Sequence, residues 1–156
     1  MTYDLLILGG GPAGFRAAER AGHFGLKAAL FEENALGGVC LNEGCIPTKT
    51  LLYGAKVYNY ALTGDHYGVY VENPAFKYGE FVSRKDKVVR KLVGGIKAAM
   101  KAFKVEVVNE AAVIQGRSGE GITVKAGEAD YVARNLLVCT GSEAVVPPFP
   151  GLKEAG

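Results

Sequence analysis

The chain has 156 residues, 49% hydrophobic and 22% charged, with a net charge of +2. That length carries one domain with one substantial core, and the balance of apolar and charged residues excludes intrinsic disorder. So small a charge gives no argument for nucleic acid or a membrane as partner, and no apolar run reaches the ~20 residues of a membrane-spanning helix.

The first residues, Met1-Thr2-Tyr3-Asp4-Leu5-Leu6-Ile7-Leu8, lack the basic start and small-residue cleavage site of a secretory signal. They read instead as a buried strand over residues 3–8, and the expected compartment is the cytoplasm. Pro12 stands where a helix begins, and the alanine-rich residues 15–25 continue it. Residues 27–31 form a second short strand, completing a βαβ opening of about 30 residues. Residues 36–38 read as a loop, residues 39–60 as a helix interrupted or bent near Pro47, and residues 63–79 as loop.

Residues 80–103 predict a long amphipathic helix, with Phe81, Val88, Val89, Leu92, Ile96, Ala99 and Phe103 towards the core. Its other face carries Arg84, Lys85, Lys87, Arg90, Lys91, Lys97 and Lys101, read as solvated. Gly94 and Gly95 each cost this helix roughly 1 kcal/mol against alanine; a close backbone contact is one explanation for them. From Val105 the pattern becomes β, with strands at 105–108, 111–115, 121–125, 130–133 and 136–139. The expected fold class is α/β: a Rossmann-like parallel sheet with flanking helices and an added small antiparallel β-meander.

Gly9-Gly10-Gly11-Pro12-Ala13-Gly14 fits G-x-G-x-x-G on Gly9, Gly11 and Gly14. The first glycine makes a tight turn, the second lets backbone approach a pyrophosphate, and the third lets helix and strand pack closely. The helix that follows presents free N–H groups and partial positive charge to the phosphates. Glu32 ends the second strand about 20 residues on, where a ribose-binding carboxylate belongs. A carboxylate there disfavours a 2′-phosphate, so the nucleotide is FAD or NAD rather than NADP. Glu33 reads as a solvated loop acid.

Cys40 and Cys45 are spaced Cys-x4-Cys and lie among glycines. Zinc needs two further ligands. Cys139 lies far along the chain in an expected strand, as a small core residue, and His23 and His66 form no cluster, so metal binding is the minor reading. A structural, inert pair is the bland one, and a redox pair the third. In an ideal α-helix, residues five apart have Cα atoms about 8.7 Å apart, whereas a disulfide needs about 4.4–6.8 Å. If the pair bridges, residues 40–45 are non-helical or distorted, and Gly44 allows this.

Together these residues resemble the class I pyridine nucleotide-disulfide oxidoreductases. The resemblance runs over essentially the whole chain, through the glycine turn, Glu32, Gly37-Gly38-Val39-Cys40-Leu41-Asn42-Glu43-Gly44-Cys45-Ile46-Pro47-Thr48-Lys49, and Cys139-Thr140-Gly141-Ser142-Glu143. Leu41 and Ile46 look like the branch that oxidises dihydrolipoamide; the glutathione and mercuric reductase branches more often have valine there. The resemblance implies FAD as cofactor and NAD as co-substrate. It implies that Gly9, Gly11, Pro12, Ala13, Gly14 and Gly38 hold the FAD and that Glu32 binds its adenosine ribose. Cys40 would exchange with dihydrolipoamide, Cys45 would face the flavin ring, and Lys49 would lie near the flavin N5. Ala112 matches a position whose backbone meets the adenine, although Glu110 replaces the usual nearby glycine. Thr140 and Gly141 match an Ala-Thr-Gly element in which Cys139 replaces the alanine.

The implied reaction is oxidation of dihydrolipoamide to lipoamide with reduction of NAD. The implied partners are a lipoyl carrier domain, a second subunit in a homodimer, and a 2-oxoacid dehydrogenase or glycine-cleavage complex. Family chains are roughly three times as long, and a His-Glu pair of the partner subunit's C-terminal domain acts as base. The expectation is therefore an FAD-binding domain over residues 1–146, a linker to an NAD-binding domain from 147 to 156, and no turnover by this portion alone. The alternatives are a glutathione or mercuric reductase of the same family, and a non-catalytic dinucleotide-binding module.

Overall fold

In the computed structural model, which describes residues 2–143, 145–152 and 154, the chain begins with β1 (Thr2–Leu8), α1 (Pro12–His23) and β2 (Ala28–Phe31). Three helices follow, α2 (Gly38–Asn42), α3 (Cys45–Leu62) and α4 (Tyr78–Ala102), with a 3-10 turn at Gly64–Tyr67 between the last two. The chain then forms β3 (Glu106–Val108), β4 (Ala112–Ser118), β5 (Gly121–Ala126) and β6 (Ala129–Val138). All the strands join one six-stranded sheet in the order β3-β2-β1-β6-β5-β4. The β3-β2-β1-β6 portion is parallel, and β6, β5 and β4 form an antiparallel meander. The expected α/β fold is thus present, with the meander continuous with the parallel sheet. Of the expected linker, 147–152 and 154 are described; Lys153, Ala155 and Gly156 lie outside the described residues, as do Met1 and Ala144.

Side chains alternate across the central strands and build a core on each face. Ile7, Ala28 and Leu30 point to the helices and pack with Ala18, Ala21, Leu36, Met100 and Val105. Leu6, Leu8, Ala29 and Phe31 point the other way and pack with Tyr3, Val124, Ala126 and Ala133. Because Val124 and Ala126 come from β5, the meander covers the face that the helices leave open. The ring of Tyr131 stands edge-on to Phe31, with centroids 4.9 Å apart.

β6 corrects the reading of two strands at 130–133 and 136–139. Its first half pairs with β5 (Ala129↔Ala126, Ala133↔Ile122), and its second half with β1 (Leu136↔Leu6, Val138↔Leu8). Arg134 and Asn135 interrupt the apolar pattern without interrupting the strand. The Asn135 amide donates to the Asp4 carbonyl at 3.1 Å, and the Arg134 guanidinium lies 3.9 Å from the Asp4 carboxylate.

The helical readings need three corrections. The break within residues 39–60 falls at Glu43–Gly44, not at Pro47, which occupies the first turn of α3. There its missing N–H costs nothing, because a helix's first N–H groups have no intrahelical acceptor. Leu92 is 41% exposed, and Met100, absent from the expected core list, is the buried residue of α4. A Cβ on Gly94 or Gly95 would meet no atom within 4 Å, so no close contact accounts for them.

Candidate dinucleotide and dithiol site

The glycine turn joins β1 to α1 at the C-terminal end of this central strand. Gly9 has φ +100°, and its N–H donates to the Phe31 carbonyl at 2.9 Å. A Cβ there would strike the Cys139 carbonyl oxygen and come within 3.1 Å of the Thr140 Cα. A Cβ on Gly14 would strike the Gly9 carbonyl oxygen, so this glycine allows α1 to close onto β1. Gly11 differs: the nearest atom to a Cβ there is the Gly38 Cα, at 3.9 Å. The space above Gly11 is open, as backbone that receives a ligand requires. Pro12, with no N–H to satisfy, and Ala13 begin α1; Gly11 caps it without a side-chain bond, leaving its first N–H groups to face a phosphate.

Glu32 is half-buried beside this turn. Its Oε2 accepts from the Gly10 N–H at 2.7 Å, and its Oε1 from the Asn34 N–H at 2.9 Å. Each carboxylate oxygen retains a lone pair, so ribose hydroxyls can still be received. The Glu32 N–H donates to the Val108 carbonyl at 3.0 Å, which ties the end of β2 to β3. Ala112, four residues beyond Val108, starts β4 and is half-buried against the core under the meander. Thr140 and Gly141 follow β6, and the Cys139 N–H donates to the Leu8 carbonyl at 2.7 Å, bringing them beside Gly9. Cys139 is half-buried at this exit rather than a core residue of a strand. The open Gly11 turn, the free helix start and the spare acceptors of Glu32 fit a dinucleotide.

The cysteines stand on either side of a broken helix. Cys40 belongs to α2 and Cys45 is the first residue of α3. Between them Gly44 adopts φ −111° and ψ −106°, and the N–H groups of both Glu43 and Gly44 donate to the Val39 carbonyl, at 2.9 and 2.6 Å. The expected distortion at 40–45 is present. Both cysteines are thiols here, Cys40 half-buried and Cys45 exposed. The Cys40 thiol is pushed above the ordinary thiol range, first by its hydrogen-bonding interaction with Cys45 and then by desolvation, with Lys49 opposing. Lys49 is exposed one helical turn after Cys45, on the same side of α3.

A short loop joins the two halves of the site. The Gly37 N–H donates to the Gly10 carbonyl at 2.8 Å. Gly38 has φ +60°, and a Cβ on it would lie 2.7 Å from the Gly11 Cα. The loop before the cysteines therefore rests directly on the phosphate turn. Asn42, not singled out from the sequence, folds back from the end of α2 towards this loop; its place between the two cysteines was the only signal available. His23 and His66 stand apart from these residues. His23 is exposed at the end of α1, its ring edge-on to Phe103, and His66 follows α3, which runs about 27 Å from Cys45 at 1.5 Å per residue. No group of three metal-binding side chains forms among the described residues. A hollow of about 990 Å³ opens elsewhere, between α3, residues 71–79 and the start of α4; Val57, Tyr58, Phe76 and Phe81 line it, without a thiol.

A profile of the pyridine nucleotide-disulphide oxidoreductase family matches residues 3–156. The dihydrolipoyl dehydrogenase of Acholeplasma laidlawii is 44% identical over 154 residues, which cover 98% of this chain and 45% of that protein. That of Mycoplasma pneumoniae is 43% identical over 157 residues, covering 99% of this chain and 33% of the relative. The solved Cu(II) complex of the HOCl-induced flavoprotein disulfide reductase RclA from Escherichia coli matches with a TM-score of 0.75 at 25% identity, over 97% of this chain and 31% of that one. The chain thus spans less than half the length of these relatives.

Proposed function

This chain belongs to the pyridine nucleotide-disulphide oxidoreductase family, and we propose that it is the disulfide-bearing portion of a dihydrolipoyl dehydrogenase. Its reaction is oxidation of dihydrolipoamide to lipoamide with reduction of NAD. When bound in the glycine cradle, FAD would supply the two-electron redox chemistry that links the dithiol to NAD. The observation that carries this reading is the joint of Gly38 on Gly11, which fixes a cysteine pair to a dinucleotide cradle.

The chain's own residues divide the work. Gly9, Gly11, Pro12, Ala13 and Gly14 receive the pyrophosphate, Glu32 the ribose, and Ala112, Thr140 and Gly141 complete the cradle. With Cys40 and Cys45 joined, a thiolate of dihydrolipoamide attacks the Cys40 Sγ and Cys45 leaves as thiolate. The second substrate sulfur then displaces Cys40, releasing lipoamide and leaving both electrons on the cysteine pair. Cys45 opens an 18-residue helix, and a helix N-terminus attracts the negative charge left there. Lys49 adds a positive charge one turn on. Substrate deprotonation needs a base, which this reading assigns to residues outside these 156. Accordingly the chain alone does not turn over dihydrolipoamide.

In the whole protein, residues 1–146 form the FAD-binding domain and 147–156 lead to an NAD-binding domain. The protein works in the cytoplasm as a homodimer, on a lipoyl carrier domain of a 2-oxoacid dehydrogenase or glycine-cleavage complex. The test is to load the chain with FAD and reduce it with one equivalent of a dithiol. A long-wavelength thiolate–flavin absorbance band is expected in the native chain and in Cys40→Ser, and not in Cys45→Ser. A native chain that binds FAD without this band is a nucleotide-binding module only. Assay of the full-length protein on lipoamide, glutathione and mercuric ion then assigns the substrate.

A further inference from the structure

Asn42 lies midway along the segment that carries the two cysteines, and its side chain reaches back towards the loop before α2. The two hydrogens of the Nδ2 amide are shared among three carbonyl oxygens, those of Ala35 at 3.3 Å, Leu36 at 3.2 Å and Gly38 at 3.0 Å. Among the described residues the bonds to Ala35 and Leu36 are the only side-chain hydrogen bonds between α2 and the loop before it, and the bond to Gly38 closes on the first residue of α2. That loop is held on the phosphate turn by the Gly37 N–H bond to Gly10 and by the close approach of Gly38 to Gly11. Leu36 is buried in the core, and Leu41 packs over Gly37. At the far end of α2 this side chain is the anchor, and Glu43 and Gly44 beyond it turn by backbone bonds to the Val39 carbonyl.

One amide therefore connects the glycine cradle to the break between the cysteines. We propose that Asn42 is a positioning residue that holds Cys40 at bridging distance from Cys45 and registers the pair against the cradle. The proposal rests on the reading of these cysteines as a redox couple. The physical reason is closure. A disulfide forms only when the two Cα atoms lie about 4.4–6.8 Å apart. Three carbonyl oxygens converging without a donor repel one another and lose a half-buried bond each. The end of α2 then moves away from the loop, and the two thiols meet in bridging geometry less often. The dithiol form gains at the expense of the disulfide.

The experiment equilibrates the 156-residue chain with glutathione and its disulfide. Two cysteine thiols give up two protons and two electrons to glutathione disulfide, yielding the Cys40–Cys45 bond and two glutathione thiols. The closed fraction is read by alkylation and mass. Asn42→Ala is expected to lower the closing constant about tenfold, equal to about 30 mV for this two-electron couple. Asn42→Asp, which keeps the shape but sets carboxylate oxygens against the three carbonyls, is expected to lower it further. Glu43→Gln, an exposed neighbour, is expected to match the native chain. FAD affinity, read by flavin fluorescence, is expected to fall far less than the closing constant, because the cradle keeps its own bonds; a purely structural role would move both together and overturn the proposal. A closing constant within twofold of native in Asn42→Ala, or in Asn42→Asp should the alanine variant not fold, also overturns it. A native chain that never closes the bond overturns both this proposal and the redox reading. A native chain that closes beside a variant that closes equally well overturns only the role of Asn42.

Discussion

The glycines of the phosphate turn and those of α4 are the same residue under opposite constraints. In the turn, Gly9, Gly10 and Gly14 are each pressed by neighbouring atoms: a Cβ would meet the Cys139 carbonyl, the Leu36 side chain at 2.8 Å, or the Gly9 carbonyl. In α4, Gly79, Gly94 and Gly95 meet nothing within 4 Å. The first group is required by backbone approaching backbone at Gly9 and Gly14 and by packed side chains at Gly10, whereas the second meets no neighbour among the described residues. Glycine content alone therefore says little, and the neighbours of the missing Cβ decide whether a glycine is part of a site.

Four measurements by urea unfolding break or sharpen that contrast. Gly14→Ala is expected to have the largest effect, a loss of about 3 kcal/mol or more, because helix and strand must separate to admit the methyl group. Gly9→Ala follows, at about 2–3 kcal/mol, from its positive φ and its collision with backbone. If either variant unfolds like the native chain, the turn is not the rigid element described here. Next is Tyr3, beneath the meander, whose hydroxyl donates to Glu106 at 2.5 Å. Burial first, and then this bond to a carboxylate, push its pKa up to about 12 from 10.0. A raised pKa means the fold favours the protonated form. The contribution of Tyr3 is thus complete below pH 10 and is lost as pH rises through 12. Tyr3→Phe should cost about 1 kcal/mol at neutral pH and remove that alkaline slope; an unchanged slope would assign it elsewhere. The smallest effect carries the opposite sign: Gly94→Ala should stabilise the chain by about 0.5–1 kcal/mol, since only helix propensity changes. A destabilised Gly94→Ala chain would mean that α4 needs its glycine after all.

How much was legible in the sequence follows from the same physics. The cradle was readable because G-x-G-x-x-G encodes backbone requirements directly, and Glu32 stands at the expected distance. The distortion between Cys40 and Cys45 was readable from Cα arithmetic and from Gly44, whereas Pro47 pointed to a helix break that is not there. Pro47 is harmless in a first turn, while Gly44 turns the chain by a backbone bond to the Val39 carbonyl. The unity of β6 was hidden because Arg134 and Asn135 look like a turn until Asp4 is seen beside them. On α4, periodicity identified a face but not how much of it is covered: Met100 is buried and Leu92 is not. Asn42 was invisible because the carbonyls it binds converge only once the loop has folded.

The pairing of β1 with β6 also sets an order of events in time. Leu8 meets Val138 across 130 residues, and Thr2 meets Val132 across the same span. A ribosome must release the residues through Val138 before the first strand can gain this neighbour. Until then β1 has one partnered edge, from β2, and one bare edge bearing Leu5–Leu8, the kind of apolar border that recruits other chains. Long-range closure of this sort is slow. Conditions that delay completion of β6 should therefore raise aggregation before they lower the stability of the folded sheet.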